Sequence, residues 1–190
     1  GEDTLSLHDA LPISYAHADQ WLSFTPCPTL PSWTEAMRHA MHAHRAGWVD
    51  EAAAQYAFAL AWARMGLLVL EDADQPCTIN QADEVLHAWV STLVCQSALL
   101  AETDQLERSA QTLADAHKRV LTWLKRFPMR DTRHASAVWH SRQSHAALLS
   151  HWAEHGPRPC LEDALHAGCL SLSAPVACRG FQGHVTTHLH

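Results

Sequence analysis

Apolar residues recur at helical spacing in six segments of this chain, and no segment alternates apolar and polar residues as a half-buried strand does. Residues 51–70 show the pattern most clearly, with an apolar position at every third or fourth residue. Gly47, Pro128 and the Gly156-Pro157 pair interrupt the pattern and predict where helices end. We therefore predict an all-α fold of about six helices, paired as three antiparallel helical hairpins in series.

Capping residues define the predicted helix limits. Ser32 followed by Glu35 has the form of a capping box, so the first helix should begin one residue after the serine. Asp50 and Thr103 are placed to cap the second and fourth helices. The predicted helices cover residues 33–46, 51–70, 82–101, 104–127, 132–155 and 161–170, with a loop over residues 71–80.

The chain divides into four parts. Residues 1–14 read GEDTLSLHDALPIS and resemble the peptide made by translating a common sequencing-adapter stretch, so we expect an artefactual leader in place of the native start. Closely spaced prolines predict an extended lead-in over residues 15–31, and a helical domain over residues 32–170 follows. Residues 171–190 show no periodicity and are expected to form a loose tail.

Charge and cysteine usage narrow the function classes. A net charge of -7 argues against a general nucleic-acid binder, which is usually basic. The six cysteines are scattered without C-x-x-C spacing, which indicates reduced thiols in the cytoplasm and no zinc knuckle. Arg64 and Glu71 interrupt the longest apolar stretches, so we expect no membrane span. The glycine motifs of nucleotide-binding sites do not occur, and we expect no cofactor.

Residues 33–64 resemble a tetratricopeptide repeat, a hairpin of two helices that cross closely at small residues. Gly47 lies at the turn, Ala40, Ala52 and Ala59 take small-residue positions, and Tyr56 takes an aromatic position. The resemblance implies a superhelix of hairpins whose first helices line a concave groove for a peptide or protein. A non-repeat helical bundle is the alternative, since positions 36, 39, 43 and 64 depart from the pattern.

By that implication, one side of the first helix would face the groove. Arg38 and Arg45 would bind a carboxylate of the partner through their guanidinium groups, or would be solvated surface residues. Met41 and His44 complete the predicted partner-binding set of this helix. We therefore predict a non-enzymatic interaction module whose partner is an unidentified protein or peptide.

A basic run lies near the end of the fourth predicted helix. Lys118 and Lys125 share one face, Arg119 and Arg126 share the adjoining one, and two further arginines follow at positions 130 and 133. The run predicts a contact for an acidic partner or, as an alternative, for nucleic-acid phosphates. The structural explanation is that the helix dipole favours cations near a helix C-terminus.

Two motifs resemble metal sites. His151, Glu154 and His155 form H-x-x-E-H, in which inverzincin metallopeptidases use two histidines to hold zinc and the glutamate as general base. A zinc-dependent hydrolase is therefore the alternative function, although sixteen histidines make a chance match easy. Glu84 and His87 form the E-x-x-H unit of di-iron bundles, which requires a second unit that the sequence lacks. We predict neither a metal nor catalysis.

Overall fold

The computed structural model describes residues 32–72 and 76–173, without the side chains of residues 170–173. Within these ranges the chain forms six helices and no strand, which confirms the predicted all-α fold. The helices are α1 (Trp33–Arg45), α2 (Val49–Leu70), α3 (Ile79–Glu102), α4 (Leu106–Arg126), α5 (Thr132–His155) and α6 (Pro159–Ser173). The expected leader, the lead-in up to residue 31 and the tail from residue 174 lie outside the described residues.

Two capping boxes fix where α1 and α3 begin. The backbone N–H of Ser32 donates to the Glu35 carboxylate at 3.0 Å, and the backbone N–H of Glu35 donates to Ser32 Oγ at 3.3 Å. This pair confirms the predicted capping box of α1. Thr78 and Gln81 form a second capping box, so α3 begins three residues earlier than predicted and the preceding loop is shorter.

Two predicted caps were wrong. Asp50 lies in the first turn of α2 and not before it, because the helix already begins at Val49, and Trp48 at the cap position makes no side-chain cap bond. Thr103 follows the end of α3, where its hydroxyl donates to the carbonyl of Leu99 at 3.0 Å. α4 therefore begins two residues later than predicted, and α6 extends beyond both of its predicted ends.

The helices pack in an order that is compatible with the predicted series of antiparallel hairpins. α1 packs on α2, α3 packs on α4, and α3 also contacts α2 and α5 extensively. α6 packs mainly on α4 and much less on α5. Three apolar clusters follow this order: the first lies chiefly between α1 and α2, the second between α2, α3 and α4, and the third between α4, α5 and α6.

Small side chains let α1 and α2 cross closely. Ala40, Ala52 and Ala59 are fully buried at this crossing, and Tyr56 fills the space beside them. Gly47 makes the turn between the two helices with a φ of +75°, a backbone conformation that favours glycine. The residues that carry the repeat resemblance are therefore the residues that join these helices.

α2 and α3 carry long apolar stretches. Each is long and apolar enough, by length and composition alone, to cross a membrane, a test that the core helices of soluble proteins also pass. Their inner faces form the central apolar cluster. They approach closely at Gly66, where an added Cβ would lie 2.8 Å from Val85 Cγ2.

Candidate functional site

A cleft of about 470 Å³ opens between α2, α3 and α4, and we refer to it as the α2–α3–α4 cleft. α2 and α3 contribute its apolar surface, and α4 contributes most of its polar surface. The lining residues are Arg64, Leu67, Leu68, Trp89, Asp115, Lys118, Arg119 and Thr122. Because apolar surface and cations occur together, the cleft suits a ligand that is partly apolar and partly anionic.

Two N–H donors of cleft-lining residues have no acceptor among the described residues. Trp89 is only 8% exposed, and its indole Nε1 is buried without a hydrogen bond. The Nε of Arg119 is also buried and unpaired. An unsatisfied buried donor costs about 1–3 kcal/mol, so each group would gain from an acceptor, and both atoms are closed to solvent in this conformation.

The cations of the cleft differ in how they are held. Arg119 forms an ion pair with Glu71 at the end of α2, and Glu71 also accepts a hydrogen bond from Trp123 Nε1 at 3.0 Å. Lys118 and Arg64 are exposed and form no ion pair with any other described residue. The cleft therefore presents two cations and the exposed carboxylate of Asp115 to a ligand, in a chain whose net charge is -7.

The predicted basic run divides into separate parts. Lys118 and Arg119 line the cleft, whereas Lys125 and Arg126 are exposed in the last turn of α4, where the helix dipole favours them. Arg133 is 5% exposed, and its guanidinium donates to a neighbouring carboxylate and to two backbone carbonyls. The prediction that Arg133 belongs to an exposed basic surface was wrong, because these acceptors bind its guanidinium inside the protein.

The residues predicted to face a groove on α1 lie in different environments. Arg38 and Arg45 are exposed, and Met41 is half-buried. His44 is directed towards the neighbouring helices, with its Nδ1 3.1 Å from the hydroxyl of Tyr56. Partner binding on this face stays a prediction, and the cleft lies elsewhere, between α2, α3 and α4.

Long-range polar contacts occupy several histidines, and spacing along the sequence could not reveal them. His44 Nε2 lies 2.9 Å from Glu102 Oε2, which links α1 to the end of α3. His140 Nε2 lies 2.9 Å from Asp83 Oδ1, which links α5 to α3 and holds the pKa of Asp83 below its usual value. The partners are 58 and 57 positions apart, so no local pattern marks them.

The side chains of the H-x-x-E-H motif have different partners. His151 is 5% exposed, and its Nε2 lies 3.0 Å from Ser109 Oγ. Its ring lies 4.7 Å from that of His155, while Glu154 is exposed and 3.7 Å from the Nε2 of His155. Within residues 32–72 and 76–173, no three or more His, Cys, Asp or Glu side chains form a group that could hold a metal ion. The geometry gives the hydrolase alternative no support.

The helical region matches the model of a protein family. The family is described as "Protein of unknown function (DUF2753)", and its model matches residues 31–182, which include all six helices. Neither a curated protein nor a solved structure matches the chain.

Proposed function

We propose a function for this chain, which belongs to the DUF2753 family, from the residues of its cleft. The chain acts as a non-enzymatic interaction module that binds an acidic segment of a partner protein in the α2–α3–α4 cleft. Carboxylates of the segment meet Lys118 and Arg64, and its apolar side chains pack on Leu68 and Trp89. Recognition of an extended or helical segment on a preformed surface requires no chemistry.

The proposal includes a tetratricopeptide-like arrangement of the hairpins. The first hairpin supports this arrangement, because Ala40, Ala52 and Ala59 are fully buried at the crossing and Gly47 makes the turn. Hairpins of this kind stack into a curved array with a concave side. The central apolar cluster packs α2, α3 and α4 against one another. The cleft is lined mainly by α2 and α4, the second helices of the first two hairpins, and so differs from the groove that the resemblance implies for the first helices.

The main observation in support of the proposal is the indole N–H of Trp89. It is buried, and nothing in the described part of the chain accepts its proton. A tryptophan N–H is a donor only, and this one is closed to solvent, so a small rearrangement of the cleft wall would have to bring an acceptor of a ligand, of water or of a residue outside the described ranges within its reach. Leu67 and Leu68 provide apolar surface in the same cleft. A carboxylate or a backbone carbonyl of a bound segment would supply the acceptor.

Charge favours a short acidic segment over a nucleic acid. The chain as a whole carries a net charge of -7, which repels an extended polyanion. At physiological ionic strength, charges interact over about 8 Å. A short segment in the cleft therefore interacts with Lys118 and Arg64, which outnumber the Asp115 carboxylate of the lining, and the charges farther away on the chain are screened.

We also propose that the module works in the cytoplasm. Cys77, Cys95, Cys160 and Cys169 are free thiols, as a reducing compartment allows. Burial raises the pKa of Cys95 to about 11, so that its thiol stays protonated and unreactive. The thiols thus support an interaction protein of the cell interior and add no catalytic step to the proposal.

Binding of synthetic peptides tests the proposal. The fluorescence anisotropy of a labelled peptide of Glu, Asp and Leu residues is compared with that of a Gln, Asn and Leu peptide of equal length. We expect only the acidic peptide to bind, and we expect high salt to weaken its binding. Lys118→Glu should weaken binding about tenfold. Lys125→Glu, an exposed cation outside the cleft, is the matched control and should bind normally.

A second variant tests the role of the indole. Trp89→Phe keeps an aromatic ring and removes the N–H, so it should weaken binding of the acidic peptide about fivefold. Trp89 also belongs to the central apolar cluster, so the smaller ring lowers stability, and a circular dichroism spectrum at the assay temperature checks that the variant is folded. Equal binding of the two peptides would contradict the proposal. An equal loss of binding in Lys118→Glu and Lys125→Glu would contradict it as well.

A further inference from the structure

Two histidine rings meet where α4, α5 and α6 pack together. His117 of α4 is fully buried, His145 of α5 is half-buried, and their ring centroids lie 5.6 Å apart. Gly168 of α6 packs against both rings, since a Cβ added there would lie 2.6 Å from His117 Nε2 and 3.5 Å from His145 Nδ1. We call these three residues the histidine–glycine contact.

The neutral ring of His117 carries its proton on Nδ1. The hydroxyl of Ser144 donates to the carbonyl of His140 at 2.9 Å, so its oxygen is left to accept a hydrogen bond from His117 Nδ1, which lies 2.8 Å away. His117 Nε2 therefore holds a lone pair, and it is buried without a partner among the described residues. A second proton on this ring has to go to Nε2.

A proton on His117 Nε2 would meet no acceptor in the closed structure. The nitrogen is shut off from solvent, and the backbone of Gly168 packs directly against it. The other ring nitrogen at this contact, His145 Nδ1, makes no hydrogen bond with a described residue either. Because a buried charge without a partner is costly, proton uptake has to separate the surfaces that enclose Nε2.

No carboxylate of the described chain offsets a charge on His117. Burial lowers the pKa of His117 to about 4, and the one charged group that adds to this shift, His145, acts in the same direction. α3, which packs on both α4 and α5, directs Asp83 to His140 instead. The other ionisable side chains close in sequence to the contact are exposed: Asp115 and Lys118 on α4, Arg142 on α5, and Glu162, Asp163, His166 and Cys169 on α6.

α6 is the helix that is free to move. α4 is packed between α3, α5 and α6, and α5 is tied to other helices through His140 and Arg133. α6 packs mainly on α4, where Leu161 and Ala164 complete the third apolar cluster. We propose that α6 detaches from α4 and α5 when His117 takes up a proton, so that acid uncovers the apolar side chains beneath α6.

The release of α6 does not rest on the proposed peptide binding. His117, His145 and Gly168 do not line the α2–α3–α4 cleft, and Lys118 and Trp89, which do, lie outside the histidine–glycine contact. Variants of the contact therefore test the release, and variants of the cleft test peptide binding. Failure of one proposal can be told from failure of the other.

Hydrogen exchange of the full chain, measured by mass spectrometry, tests the release. Protection factors are corrected for the intrinsic pH dependence of exchange and compared between peptides of α6 and of α2. We expect α6 to be less protected than α2 at every pH, because it opens while the other helices stay folded. Since the released state binds a proton that the closed state excludes, α6 protection should fall about tenfold between pH 6 and pH 5.

Three variants assign the pH dependence to the contact. His117→Gln removes the titrating ring, so α6 protection should no longer change between pH 6 and pH 5. His166→Gln replaces an exposed histidine of α6 and is the matched control, which should keep the parental pH dependence. Gly168→Ala places a Cβ against His117 Nε2, so it should lower α6 protection at pH 7 about tenfold without any proton.

Four results would overturn the proposal. Equal protection of α6 and α2 would show that α6 opens only when the whole chain unfolds. An α6 protection that is constant between pH 6 and pH 5 in the parent chain would exclude release by acid. The parental pH dependence in His117→Gln would assign it to another group. Parental α6 protection in Gly168→Ala at pH 7 would contradict the close contact, and this result does not require that His117→Gln folds.

Discussion

Glu71 accepts the indole N–H of Trp123 at 3.0 Å, and this hydrogen bond joins the end of α2 to a fully buried ring of α4. The same carboxylate forms the ion pair with Arg119 at the edge of the α2–α3–α4 cleft. Glu71 thus satisfies a buried donor and offsets one cation of the cleft. Residues that build the cleft therefore also hold the fold together.

Replacement of Glu71 should lower stability through both of its partners. Glu71→Leu leaves the Trp123 N–H unsatisfied and Arg119 unpaired, so we expect the free energy of unfolding to fall by about 2–3 kcal/mol. Glu71→Gln keeps an acceptor for the Trp123 N–H, so its free energy of unfolding should fall by about half as much. Urea denaturation measures both. Glu162→Leu, at an exposed position of α6, is the control, and a loss of similar size there would contradict this role.

The substitution Gly66→Ala should lower the free energy of unfolding, although the same change inside a helix usually raises it. Alanine normally stabilises a helix interior by about 0.5–1 kcal/mol relative to glycine, but here its Cβ would lie 2.8 Å from Val85 Cγ2. We expect a destabilisation of about 1–3 kcal/mol. Val85→Ala removes the methyl groups that the new Cβ would meet. In a double-mutant cycle of denaturation midpoints, the effects of Gly66→Ala and Val85→Ala should therefore not be additive. A more stable Gly66→Ala protein would rule out the close approach of α2 and α3.

Arg133 should be sensitive even to a conservative change. Its guanidinium donates to Asp131 at 2.8 Å and to the carbonyls of Leu70 and Asp72 at 3.1 and 2.9 Å. A lysine cannot reproduce this fork of donors, so Arg133→Lys should lower the free energy of unfolding by about 2–3 kcal/mol. Arg130→Lys, at an exposed position, should change thermal unfolding little. Similar melting temperatures for both variants would contradict the assignment.

His117 should make the protein less stable in acid. Burial, with a smaller contribution from His145, lowers the pKa of His117 from 6.5 to about 4. The unfolded chain then binds a proton that the native chain excludes, so stability falls as the pH drops from about 6.5 to about 4. His117→Gln should flatten part of this slope in urea denaturation curves, whereas the exposed His39→Gln should not. Parallel slopes for the parent and His117→Gln would contradict the prediction.

Local signals were sufficient for the fold where caps and breakers are unambiguous. The limits of α5 agree with the prediction because Asp131 caps the helix and Gly156 ends it with a φ of +83°. The start of α3 was placed too late, because the residues before it were interpreted as a loop by composition. Thr78 followed by Gln81 is itself a capping signal, and it could have located this helix start.

The cleft was only partly predictable, since it depends on how three helices meet. Lys118 and Arg119 were identified as candidates because cations cluster in the sequence around them. Trp89 was not, because an unsatisfied indole N–H becomes visible only when the surrounding helices are in place. His44 was assigned to a binding face by a repeat pattern, yet its ring contacts Tyr56. The environments of Trp89 and His44 could not be predicted because they depend on residues that lie far apart in sequence.

The acceptors at the end of α2 receive their donor late in the order of synthesis. The carbonyls of Leu70 and Asp72 bind a guanidinium that lies 63 and 61 residues further along the chain. While the ribosome is still making α3 and α4, the last turn of α2 therefore lacks these bonds and frays. A nascent chain that stops before residue 132 would lack the donor that ties α5 to the end of α2.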